Sequence, residues 1–592
     1  MSRAEPFYFG PSDRPLFGWL HDSAEPSSYG LVVCSPFGYE SICAHRSLRH
    51  FCEASAQAGV PALRFDYDGT GDSAGDDRDP ARLAAWVASV QQAIDALKKL
   101  TSVERIALLG VRLGAAVAAK AAVERDDVDG LIAIAPVVVG KTYLRELRAL
   151  QMTLDRRDPP PGTAVESDVQ EAIGFVLTAE TRAAVGDLDL TKLDRPAPHV
   201  LLIDRDDLPI GNAWPDRLGS QKVVLDHRRL PGYVEMMLGP DQTRVPEQMI
   251  GAVSDWLTQR ASACASGRKA AITTGEAFPR RTLLPTAGGP NVIESAEFID
   301  AAGSLFGVLS VPESPPPSRS GLLLLNAGSV HHVGSNRLYV TLARRWAAHG
   351  HAVLRLDLSG IGDSRTREGA TENVVYTDFA SDEIAKATAF LKRQPGVTQV
   401  HALGLCSGGY NAFKAAVAGV DLDGVLLINP LTFFYKPDVP KEVAPHLVAS
   451  EAARYARRLR SPEAWKKLLR GEVHFRSLAR VVSRRAGNLL RERARNLLRG
   501  VGVRLGEDLA YELRSVVRKK ITLRFLFSDG DPGISLLRVQ GGPTVEKLRC
   551  RGQLTIDVIE GADHTFTPLW SHPLLIAKLA DYLDRLPPRG RI

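Results

Sequence analysis

The sequence predicts an α/β protein built twice, each half a mostly parallel sheet with helices on both faces. Three observations carry this. The chain has 592 residues, more than one hydrophobic core organises. Short apolar strands closed by turn residues alternate with helical stretches, the pattern of βαβ units. And segments of the first half return, in the same order, in the second.

The repeat is followed strand by strand. Leu16-Phe17-Gly18-Trp19-Leu20-His21 returns as Leu305-Phe306-Gly307-Val308-Leu309-Ser310. The apolar run from Gly30 to Cys34 returns from Gly321 to Leu325. Leu63-Arg64-Phe65-Asp66, followed by Gly71-Asp72-Ser73, returns as Leu354-Arg355-Leu356-Asp357 and Gly362-Asp363-Ser364. Val128 to Pro136 returns from Leu422 to Pro430. Helical stretches over 81–99 and 382–392 lie between such strands. The Asp-Ser and Gly residues after each Arg-x-Asp strand read as a turn and helix cap, with no catalytic role. Composition places the first domain at 1–262, a linker at 263–290 and the second domain at 291–592.

Composition narrows the function classes. No apolar run reaches the ~18 residues of a membrane span, and no basic segment followed by an apolar core opens the chain. Six scattered cysteines without metal-like pairing suit a reducing compartment, so a cytoplasmic location is expected. No cofactor motif appears. The net charge of +6 is modest but unevenly placed. An oligomer such as a homodimer is left open.

The chemistry concentrates where the halves differ. In the second half an apolar strand ends in Gly404-Leu405-Cys406-Ser407-Gly408 and a helical pattern starts at once. This is the spacing of a G-x-nucleophile-x-G elbow, whose glycines permit a turn too tight for a Cβ. The central residue is Cys406; a buried structural cysteine is the bland alternative. Downstream, Ser528-Asp529-Gly530-Asp531-Pro532 and Glu560-Gly561-Ala562-Asp563-His564 each close a strand. The first half keeps the elbow glycines, as Gly110-Val111-Arg112-Leu113-Gly114, but Arg112 takes the nucleophile's place. A guanidinium stays protonated and cannot attack a carbonyl. Asp206 aligns with Asp531, whereas Glu235 stands where His564 does. The first copy therefore reads as an inert one, with Arg112 paired to Asp206 or Glu235 or holding an anionic ligand.

Nucleophile, acid, histidine is the chain order of α/β-hydrolases, and both halves resemble that fold. The likeness is to serine-aminopeptidase- and dienelactone-hydrolase-like members, some of which carry cysteine at the elbow, as do acyl-shuttling enzymes of biosynthetic assembly lines. The resemblance implies a triad of Cys406, His564 and Asp531, with Asp529 and Asp563 as neighbouring substitutes. It implies an oxyanion hole from the backbone N–H of Ser407 and that of Ser329 or Val330. His331 and His332 read as pocket lining; two adjacent histidines point apart and no third ligand is evident, so no metal is expected.

The resemblance also implies a helical cap at about 431–520. There Lys and Arg outnumber acids roughly two and a half to one between 441 and 520, with Arg484, Arg485, Arg491, Arg493, Arg495 and Arg499 close together. A solvated face is the bland reading. The sharper one is an anionic partner: an acyl carrier protein, the phosphates of coenzyme A or an anionic membrane surface. Nucleic acid is not expected, since aromatic residues are sparse among the charges. Three functions follow: acyl transfer or thioester hydrolysis through an acyl-Cys, ester or lactone hydrolysis of a small free substrate, or a non-catalytic scaffold.

Overall fold

The computed structural model describes residues 4–153, 158–163, 169–264, 278–285, 289–436 and 507–584. Most of the expected cap, including its arginine cluster, lies outside them. Its last helix, Leu509–Arg518, is described; Asp508 caps it through its side chain on the Tyr511 N–H at 3.0 Å.

Each half forms its own sheet. The first orders Ala4–Phe9, Leu16–His21, Ala62–Phe65, Tyr29–Cys34, Arg105–Val111, Val128–Ile134, His199–Asp204 and Val224–Arg229. The second repeats that order from Val292–Phe298 through Phe306–Pro312, Ala352–Leu356, Arg319–Leu325, Val397–Leu405, Gly424–Ile428, Thr522–Ser528 and Leu554–Ile559. Within these two sheets only the strands at the start of each half run antiparallel and the rest pair in parallel; Val169–Ala172 and Phe175–Thr178 form a separate antiparallel pair. Central strands such as Tyr29–Cys34 and Arg319–Leu325 are buried along their whole length, as a sheet covered on both faces requires. The stretch read as a linker is not wholly one. Its Arg281–Leu284 adds an antiparallel edge strand to Val292–Phe298, because four extended residues there find an unpaired sheet edge.

The residues after each Arg-x-Asp strand do more than cap a helix, and here the sequence reading needs correction. Arg64 of the first domain pairs with Asp363 of the second at 2.6 Å, and Arg355 of the second pairs with Asp72 of the first. Arg64 and Arg355 are repeat equivalents, as are Asp72 and Asp363. The exchange is that of an isologous dimer contact written into one chain. Around it, Glu294 holds Arg344 at 2.7 Å and Arg355 at 3.1 Å. Arg337 donates to the carbonyls of Gly69, Gly71, Ser73 and Gly75. An apolar seam adjoins, in which Trp19 meets Phe306 with ring centres 4.7 Å apart.

His332 belongs to this seam, and with His331 it lines a cavity there, apart from the one that holds Cys406. Its Nδ1 lies 2.8 Å from Asp357 and its Nε2 2.6 Å from Asp72. Burial disfavours the charged ring, but the two carboxylates outweigh it and hold its pKa up at about 10. His331 stacks on His45 of the first domain at 3.9 Å. His332, Asp357 and Asp363 are close enough to share an ion, but Asp363 is already paired with Arg64, and Asp357 with Asn326 and the imidazole itself.

Candidate active site

The Cys406 elbow is built from steric necessity. Cys406 sits at φ 55° and ψ −113°, strained for any residue with a Cβ. Its amide is tied to the Ile428 carbonyl at 2.8 Å, and the helix Ser407–Ala418 starts directly after it. A Cβ on Gly404 would lie 2.2 Å from the Gly408 backbone, and one on Gly408 2.5 Å from the Leu325 carbonyl. The sulfur is thus raised off the sheet at a helix N-terminus, which favours negative charge.

Asp531 and His564 arrive from the ends of the last two strands, Thr522–Ser528 and Leu554–Ile559. Asp531 caps the helix Pro532–Gly541: one carboxylate oxygen accepts the Gly533 N–H and the other receives His564 Nδ1–H, at 2.8 and 2.7 Å. Asp563, one of the substitutes, accepts the Thr567 N–H instead and folds the histidine loop. The His564 Nε2 is buried without a conventional hydrogen-bond partner and has the Cys406 sulfur as its neighbour. Burial alone would lower the ring's pKa; contact with Asp531 and Cys406 raises it to about 10.

Sequence reasoning missed the residue that carries this loop. Asn429, at φ 45°, donates to the His564 carbonyl at 2.7 Å and accepts the Ser528 N–H at 2.8 Å. It thereby joins the histidine loop to the strand leading to Asp531. The repeat offers a signal: its counterpart in the first half, Ala135, keeps the same backbone twist without the amide.

The candidate oxyanion donors differ in what each amide already does. Val330 N–H closes a turn onto the Ala327 carbonyl at 3.2 Å, so it is not available. Gly328 N–H is taken by the Ser407 hydroxyl at 2.8 Å, which in turn donates to Asn326 O. Ser329 remains, on the wall of the chamber that holds Cys406, its hydroxyl without a partner. Ser407, as first residue of its helix, has a free N–H. Asn326 also donates to Asp357 at 2.7 Å, linking this loop to the interdomain seam.

The first domain keeps the elbow with arginine at its centre. Arg112 has φ 54° and ψ −123°, nearly the Cys406 geometry, and a Cβ on Gly110 or Gly114 would strike backbone at 2.3 Å. Its guanidinium pairs neither with Asp206 nor with Glu235. Glu40 accepts from it at 2.9 Å, Glu146 binds its other edge, and its charge lies 5.4 Å from the Tyr143 ring centre. Both carboxylates compete with any anionic ligand for it. Asp206 accepts the Gly232 N–H at 3.2 Å, and Glu235 lies on the short helix Tyr233–Met236.

Comparison with known proteins agrees with this layout. Residues 42–159 match the family model described as serine aminopeptidase, S33, and residues 322–579 that of the alpha/beta hydrolase family. The chain carries two α/β-hydrolase domains in tandem. That makes a hydrolase the coarse class supported for this tandem protein. A search of curated proteins found no match. Among solved structures, Est1E from Butyrivibrio proteoclasticus, bound to ferulic acid, is 20% identical with a TM-score of 0.35. It covers 43% of this chain and 99% of its own. Proline iminopeptidase from Mycobacterium smegmatis is 16% identical with a TM-score of 0.31, over 44% and 99%. Nothing about the reaction of the tandem protein rests on likenesses at this level. Among the described residues no helix is long and apolar enough to cross a membrane.

Proposed function

We propose that the second domain is an acyl-transfer enzyme, an acyltransferase or thioesterase, in which Cys406 accepts an acyl group from coenzyme A or a carrier protein. The observation that carries this is the juxtaposition of a cysteine on a strained elbow with an imidazole that Asp531 orients. The thiolate is the nucleophile, and a neighbouring imidazole that holds its proton is the partner it needs.

The steps follow from the residues. The Cys406 sulfur attacks the thioester carbonyl while the thiol proton resides on His564 Nε2. The oxyanion is met by the N–H groups of Ser407 and Ser329. The carbon–sulfur bond to the donor breaks, and His564 gives its proton to the leaving thiolate. Acyl-Cys is itself a thioester, so exchange with a donor thioester is near thermoneutral, whereas an acyl-serine ester would trap the group. Water or an acceptor nucleophile then repeats the sequence in reverse. Asp531 fixes the tautomer and offsets the ring's charge throughout.

A second reading, hydrolysis of a small free ester or lactone, is supported by the hydrolase family models that match both halves. The first domain acts, on this account, as a pseudoenzyme. Intact mass after incubation with acyl-CoA or acylated carrier separates the readings. An acyl adduct present in the wild type and lost in Cys406→Ala supports the transfer enzyme. Turnover of free esters without preference for thioesters supports the second reading. Neither adduct nor turnover leaves the scaffold.

A further inference from the structure

The space above Cys406 is not walled by its own domain alone. A chamber of about 1830 Å³ is lined on one side by Cys406, Ser329 and Tyr376, and on the other by the first domain. The far wall includes Leu147 and Leu150, on the helix Gly140–Thr153, and Ile173. These belong to the shorter insertion of the inert copy, which docks on the active one: Glu171 accepts the Leu569 N–H at 3.3 Å.

Two features mark that wall. Leu150 leaves 44% of its surface exposed, although it lies within a chamber rather than on an outer face. Ile173 sits at the two-residue tip between the strands Val169–Ala172 and Phe175–Thr178, with φ 52°. Asn or Gly is the residue such a tip favours; a β-branched side chain there is strained. Ile173 is 8% exposed, so it meets the chamber as a largely buried apolar side chain. The arginines on the far wall are paired in place, Arg112 with Glu40 and Glu146, and Arg205 with Asp207 at 2.6 Å. The wall's ionic groups thus disfavour an anion there and leave its apolar side chains to meet an occupant.

We propose that the inert domain is the acyl-binding wall of the active one, so that a long unbranched acyl chain joined to Cys406 runs across the seam onto Leu147, Leu150 and Ile173. This rests on the acyl-Cys reading for the chain's attachment, but the wall's affinity for an alkyl chain does not. Each methylene taken from water onto such a wall tightens binding about fourfold. The selecting residues lie in the half that has no nucleophile, which gives the degenerate copy a reason to be retained.

Binding of dodecanoate and butanoate to the full chain, followed by calorimetry, tests the proposal without requiring turnover. Wild type and Cys406→Ala should both bind dodecanoate saturably and far more tightly than butanoate. Leu150→Arg should weaken dodecanoate about tenfold or more. Ile173→Asn should weaken it too while relieving the turn, so its thermal midpoint separates a lost wall from a lost fold. Absence of saturable dodecanoate binding in wild type overturns the proposal, as does unchanged binding in both folded variants. The acyl adduct on Cys406 is measured separately, so failure of the chemistry and failure of the wall are told apart.

Discussion

Arg355→Met should loosen the tandem at its seam. Arg355 is fully buried and shared by two carboxylates, Asp72 from the first domain and Glu294 from the second, themselves buried. Removing the guanidinium leaves Asp72 with His332 alone among these partners, and Glu294 with Arg344. Methionine fills the volume but meets neither charge. Breaking one partner out of a buried ion pair costs about 3–5 kcal/mol, because the orphaned charge stays desolvated. The loss should appear in urea unfolding followed by tryptophan fluorescence and far-ultraviolet circular dichroism. Trp19 lies in the seam, so the fluorescence transition should separate from and precede the dichroism transition. A loss below about 1 kcal/mol, with both transitions still coincident, would refute the view that the exchanged pairs hold the halves together.

Other expectations follow from single contacts. The His332 ring is held protonated to about pH 10 in the fold against about 6.5 when unfolded, so its contribution is complete below pH 6.5 and is lost as pH rises towards 10. His332→Gln should flatten the fall in stability across that window in urea titrations. Gly408→Ala drives a Cβ against the Leu325 carbonyl at 2.5 Å and should destabilise by about 3 kcal/mol, read from the urea midpoint. Asn429→Ala frees the His564 loop and should lower kcat about ten- to a hundredfold with little change in thermal midpoint. Arg112→Cys supplies a sulfur but no imidazole, since Glu235 stands at the histidine's place in the repeat, so the intact mass should still show a single acyl adduct.

Much of the architecture was legible because it is local. Apolar runs closed by turn residues mark the strands, and the glycine spacing at Gly404 and Gly408 marks the elbow. The order of Cys406, Asp531 and His564 along the chain named the groups that the structure brings together. What escaped were contacts between distant segments. The Arg64–Asp363 and Arg355–Asp72 exchange joins residues about three hundred apart, and no single strand shows why its arginine is there. The signal lay in the repeat, since both copies carry the same Arg-x-Asp and Gly-Asp-Ser residues although their elbow residues differ. Arg112 went to Glu40 and Glu146 because those carboxylates come from elements outside the old triad. The choice between Ser329 and Val330 turned on one backbone hydrogen bond that no residue type reveals.

The central claim is that His564 activates Cys406, and the other cysteines supply the standard. Cys550 is exposed, while burial pushes the thiols of Cys34, Cys43 and Cys52 up to about 12. The rate of iodoacetamide alkylation at each cysteine, followed by peptide mass from pH 5 to 9, measures thiolate directly. Cys406 should react at pH 6 well ahead of Cys550, and lose that lead in His564→Ala. Alkylation of Cys406 no faster than Cys550, or unchanged by His564→Ala, would contradict the account.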